Sequence, residues 1–131
     1  MLGSVNSNKV IVADLEAGIG TLTRLGDKSV DVVLVVVEPT PKSIEVGTRA
    51  AALVRQRSGG RLIILANRVR GDQDLAAVRA AFPEEEVVAV PEDPAITEAD
   101  RLGLAPLDLN PEAPAVRALA GLAEHLVPIP G

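Results

Sequence analysis

Four short runs of aliphatic, mostly β-branched residues set the tightest limit on what this chain can fold into: Val10–Ala13, Val32–Val37, Leu62–Leu65 and Val87–Val90. Each run is apolar at successive positions rather than alternating, so each must be covered on both faces. That pattern belongs to strands of a parallel sheet between helices, not to strands with one face in water. The stretches between the runs carry helical periods. Thr40-Pro41 reads as an N-cap followed by proline at the first helical position; Ile44, Gly47, Ala51 and Val54 then recur at steps of three and four, and Gly59-Gly60 supplies a stop. A second helix opens after Gly71-Asp72, aligns Leu75, Val78 and Phe82, and closes at Pro83. A shorter one aligns Ile96, Ala99 and Leu102 and ends at Gly103. The last aligns Val116, Leu119, Ala123 and Leu126, and is entered either through Asn110-Pro111 or at Pro114. This alternation predicts βαβ units: an α/β fold with a parallel sheet of about four strands and helices on both faces.

Length and composition narrow the function. With 131 residues there is too little chain for a second core, so residues 10–131 read as one domain behind a polar leader of residues 1–9. Phe82 is the only aromatic residue, which removes any platform for stacking bases or caging cations. The net charge is -5 with no extended basic cluster, so the electrostatic footprint of a nucleic-acid binder is missing. One histidine and no cysteine exclude a thiol protease or a cysteine/histidine zinc site assembled within one chain. The absence of cysteine suits a cytoplasmic setting. The longest apolar run, Val32–Val37, is far short of the ~20 residues of a membrane helix, and MLGSVNSN lacks the pattern of a signal peptide.

In parallel α/β sheets ligands bind at the carboxyl ends of the strands, so the residues that follow each run carry the functional expectation. They are Asp14, Glu16 and Gly18 to Gly20 after the first run, Glu38-Pro39-Thr40 after the second, Asn67 to Arg70 after the third, and Pro91 to Pro94 after the fourth. An aspartate at a strand tip can hold Mg²⁺ through carboxylate oxygen, though it can also be a simple turn residue. A glycine leaves its N–H open to a phosphate, or merely makes a turn. Asn67 carries both a donor and an acceptor, as reading a base edge requires, and is equally at home in a turn. The Glu84-Glu85-Glu86 run reads as a solvated loop and His125 as a surface residue near a helix end. Gly18-Ile19-Gly20 lacks the third glycine of a dinucleotide fingerprint, and no stretch reads G-x-S-x-G or G-x-x-x-x-G-K-[ST].

Taken in order, Asp14-Leu15-Glu16-Ala17-Gly18, Val35-Val36-Val37-Glu38-Pro39-Thr40, Ala66-Asn67-Arg68-Val69-Arg70 and Val90-Pro91-Glu92-Asp93 resemble the later half of a MinD/ParA-type P-loop ATPase. The spelling is nearest to the CooC-type nickel-insertion ATPases that mature carbon monoxide dehydrogenase. The resemblance runs from about Val10 to Leu126 and implies a truncated P-loop NTPase domain of the SIMIBI type. It implies that Asp14 helps hold Mg²⁺ and that Gly18 faces the γ-phosphate. It further implies that Asn67 reads the base, with Arg68 where the family usually has lysine, and that Pro91, Glu92 and Asp93 pack around adenine. ATP or ADP with Mg²⁺ is the implied cofactor. The family's P-loop and, in nickel-handling members, its Cys-x-Cys site precede the matching segment, and neither motif occurs among these residues.

Three readings follow. The chain is a non-hydrolysing binding or assembly module, working as a homo-oligomer or with a partner chain that completes the sheet. It is one half of a split Mg-ATP-dependent ATPase for nickel maturation or partitioning-type switching. Or it is an isolated fragment without a function of its own.

Overall fold

The computed structural model describes residues 31–57 and 60–126. The expected strand at Val10–Ala13, the polar leader and the Gly59 stop lie outside the described residues, as do Asp14 and Gly18. The elements run β1 (Val32–Val37), α1 (Pro41–Arg57), β2 (Arg61–Val69), α2 (Asp72–Ala81), β3 (Glu86–Pro91), α3 (Pro94–Leu102), α4 (Pro106–Leu109) and α5 (Pro114–Leu126). The three described strands form a parallel sheet in the order β1-β2-β3. Val32 pairs with Arg61 and Val37 with Ala66, while Ile63 pairs with Glu86 and Ala66 with Ala89.

Alternate residues of each strand enter two separate cores, which is why the runs are apolar without a break. On one face Val35, Val37, Ile64 and Ala66 pack against Ala51 of α1 and Val78 of α2, with Phe82 just beyond it. On the other, Ile63, Leu65 and Val90 pack against Ala115 and Leu122 of α5, with Ile96 of α3 alongside. The two-sided coverage expected from the sequence is therefore present. At β1 it is one-sided among the described residues: Leu34 and Val36 are 40% and 57% exposed.

The caps fall largely where the sequence places them. The Thr40 hydroxyl accepts from the Ser43 N–H at 3.3 Å, and Ser43 Oγ in turn accepts from the Glu38 N–H at 2.8 Å, tying the end of β1 to the first turn of α1. Gly103 ends α3 with φ 70, a left-handed conformation in which glycine carries no steric penalty.

Two expectations are corrected, the extent of β2 and the inward stripe of α5. β2 extends through Val69, so Asn67 and Arg68 belong to the strand end rather than to a following loop. The short helix α4 lies in a stretch to which the sequence pattern assigns no element. Of the two starts the sequence leaves open for α5, the helix takes Pro114; Asn110 accepts from the Glu112 N–H through its side chain (3.1 Å) and from the Ala113 N–H through its carbonyl (3.2 Å), making a turn before the helix. On α5 Val116 is buried and Leu126 packs against the core as expected, but Leu119 is 42% exposed and Ala123 is also exposed, and Ala115, Ala118 and Leu122 make up the rest of the inward stripe. The expected and the observed stripe are both apolar at helical spacing, so periodicity alone could not choose between them.

Candidate functional site

The parallel register brings the carboxyl ends of all three described strands to one edge. β1 delivers Glu38, β2 delivers Asn67 and Arg68, and β3 delivers Pro91, Glu92 and Asp93. Between Ala66 and Val69 the pairing of β2 with β3 shifts register, which takes Asn67 and Arg68 out of the regular ladder. Arg68 has φ 59, the one positive-φ residue other than glycine among those described. Side chains other than glycine adopt this region reluctantly, so something must hold it there.

Two carboxylates do so. Arg68 Nη1 donates to Glu38 Oε1 at 3.1 Å and Nη2 donates to Glu92 Oε1 at 3.1 Å, so one guanidinium spans the ends of β1 and β3 from its place on β2. The hydrogen bond to Glu92, followed by the charges of Glu38 and Glu92, raises the pKa of the Arg68 side chain above its already high ordinary value. Arg70 extends the chain of charges, lying 4.0 Å from Glu92 Oε2 and 3.7 Å from Asp74 Oδ2. The Glu92 N–H donates to the Val69 carbonyl at 2.9 Å and closes the edge past the bulge. These ion pairs are exposed or partly exposed, so their contribution is chiefly geometric: they tie together the ends of the three strands beside Asn67.

Asp93 behaves differently. It is 9% exposed, the only buried polar or charged residue among those described. Its Oδ1 accepts from the Ala95 N–H at 3.0 Å and its Oδ2 from the Ala115 N–H at 2.9 Å.

Five of the expected site residues (Asn67, Arg68, Pro91, Glu92 and Asp93) therefore share one edge. Sequence reasoning placed Glu38 there but did not find its bond to Arg68, because nothing local to either residue encodes a contact 30 positions apart. Two other features lie apart from this edge. His125 sits with Arg61 (2.7 Å) and Glu86 (3.6 Å) at the amino ends of β2 and β3. The Glu84-Glu85-Glu86 run is not simply a solvated loop: Glu85 pairs with Arg55, and Glu86 opens β3 in a bidentate pair with Arg61. Among the described residues no group of three or more His, Cys, Asp or Glu could hold a metal ion. No described helix is long and apolar enough to cross a membrane.

No family model matches the chain. It is 29% identical over 122 residues to an uncharacterised ATP-binding protein of Methanocaldococcus jannaschii, covering 91% of this chain and 46% of that protein. A second uncharacterised ATP-binding protein of that organism is 32% identical over 110 residues, with 81% and 42% covered. The carbon monoxide dehydrogenase accessory protein CooC of Rhodospirillum rubrum is 27% identical over 124 residues, with 92% and 47% covered. The chain thus spans less than half the length of these relatives. Among solved structures, the septum site-determining protein MinD of Pyrococcus horikoshii, complexed with Mg-ADP, superposes with a TM-score of 0.63 at 16% identity over 86% of this chain and 56% of that one. MinD of Aquifex aeolicus gives a TM-score of 0.57 at 23% identity, over 73% and 43%. At those identities the shared property is the fold.

Proposed function

We propose that this chain, a relative of the MinD/ParA-type P-loop ATPases and of CooC, supplies the base-reading side of an adenine-nucleotide site. The observation that carries the reading is the bulge at the end of β2. It sets Asn67 beside Arg68, whose guanidinium is bracketed by the ends of both neighbouring strands, and next to Pro91 and Glu92. A carboxamide at this position can donate to and accept from one base edge at once. Pro91 adds a surface without a competing N–H.

In this reading Gly18 would face the phosphates and Asp14 would hold Mg²⁺, directly or through water. Both lie outside the described residues, and the described ones contain no cluster suited to a metal. None of the 131 residues forms a G-x-x-x-x-G-K-[ST] loop. Hydrolysis would therefore need phosphate ligands from beyond this stretch, because those contacts stabilise most of the charge in phosphoryl transfer. By itself the stretch acts as a binding or assembly module, in the cytoplasm. A second reading, one part of a Mg-ATP-dependent ATPase in metalloenzyme maturation or partitioning-type switching, is favoured by the greater length of the relatives. The exposed Leu34 and Val36, on one face of β1, support an assembly in which a second copy or a partner chain packs over that face.

Calorimetric titration separates these ideas from a fragment that binds nothing. ADP is expected to bind in the micromolar range, about -8 kcal/mol, with GDP weaker. Asn67→Ala should weaken ADP by roughly tenfold to a hundredfold, because it strands polar groups of the base. Equal affinity for ADP and GDP, or an Asn67→Ala chain that binds as well as its parent, contradicts the base-reading role.

A further inference from the structure

The residue just before α5 has no side chain that could cap it. Ala113, which precedes Pro114, accepts the first intrahelical bond through its carbonyl from the Arg117 N–H at 2.9 Å, but it has no side-chain oxygen for the free amides of the first turn. Proline at the first position removes one of those amides and leaves the Ala115 N–H as the next donor in need of a partner. α3 opens the same way, with Pro94 followed by Ala95. One carboxylate answers both: Asp93 caps its own helix through Ala95 and, from 22 positions away, caps α5 through Ala115. Burying a carboxylate is costly unless its oxygens are bonded, and here both are. Its neighbour Glu92 makes the bonds to Val69 and Arg68 that close the strand-end edge. The seat of α5 and the shape of that edge therefore meet in two adjacent residues.

We infer that Asp93 is a positioning residue, not a ligand contact: by capping α3 and α5 together it fixes the backbone of Pro91 and Glu92 on which the strand-end site is built. Only the binding arm of its test rests on the nucleotide reading.

Asp93→Asn keeps the shape but has one carbonyl oxygen for two amides. In the full chain, amide hydrogen exchange is expected to quicken by about tenfold at Ala95 or Ala115, and also at Glu92. ADP affinity should fall by a similar factor. Adding Ala113→Ser returns a local cap to α5. The double variant should recover the parent's unfolding midpoint and the Ala115 protection, but not the protection of Glu92 or the ADP affinity. This second variant also keeps the test usable if Asp93→Asn alone unfolds. If Ala113→Ser restores everything, Asp93 serves only helix stability and the inference fails. It fails equally if ADP binding is lost while all three amides keep their protection, which would make Asp93 a direct contact. If the parent chain does not bind ADP at millimolar concentration, the nucleotide reading falls, while Glu92 exchange still decides the role of Asp93.

Discussion

Gly47→Ala will destabilise the chain, against the usual direction for a glycine inside a helix. Alanine at an ordinary helix position gains about 1 kcal/mol over glycine. At Gly47 an added Cβ would meet Cγ1 of Val37 at 2.3 Å and Cζ of Phe82 at 3.3 Å. Val37 is 1% exposed, and its branched side chain has no free rotamer to retreat into. The backbone of α1 must then lift off β1, and overpacking of this kind costs about 1–3 kcal/mol. The clash is expected to exceed the propensity gain, so denaturant unfolding should show a lower midpoint with little change in slope. Val37→Ala in the same chain removes the opposing methyl groups, so the two substitutions together should cost less than the sum of their separate effects. A Gly47→Ala chain more stable than its parent would mean that α1 does not approach β1 this closely.

Ile63→Ala and Ile64→Ala should each cost about 2–5 kcal/mol, although the two residues are adjacent in one strand. Both are fully buried, at 0% exposure. Ile64 lies in the core under α1 and α2, and Ile63 in the core under α5, so each truncation opens a cavity in a different layer. A sheet covered on one face would give one severe and one mild substitution. Leu34→Ala on β1 is the internal control, since Leu34 is already partly exposed. Comparable large losses at Ile63 and Ile64, with a small one at Leu34, are the expected pattern in thermal or denaturant unfolding. A small loss at either isoleucine contradicts the two-sided core.

The sheet was legible because each described strand contains an uninterrupted aliphatic run, doubly covered at β2 and β3 and covered on one face at β1 among the described residues. The inward stripes of α1 and α2 matched the sequence reading, with Gly47, Ala51 and Val54 of α1, Val78 of α2 and Phe82 just beyond it buried, and Leu75 packed against that core. The stripe of α5 matched only in part, because its alanine- and leucine-rich sequence offers two apolar faces. The ends of β2 were hidden because Arg61 joins by backbone pairing with Val32, and because Asn67 and Arg68, outside the regular ladder, interrupt the apolar run before Val69. At the candidate site, strand-end topology brought Asn67, Arg68, Pro91, Glu92 and Asp93 to one edge, as expected of the ends of parallel strands. What the sequence could not carry were contacts between distant positions: Arg68 with Glu38, and Asp93 with Ala115. Nor could it carry the left-handed backbone of Arg68, which those contacts help maintain.

The central claim is that the carboxyl edge of the sheet takes an adenine nucleotide, and mapping amide resonances of the labelled chain during a titration with Mg-ADP tests it most directly. The account predicts saturable shifts at Asn67, Arg68 and Glu92, with the opposite end around Arg61, Glu86 and His125 unmoved. Shifts centred on that opposite end, or none at any residue up to millimolar Mg-ADP, would contradict it.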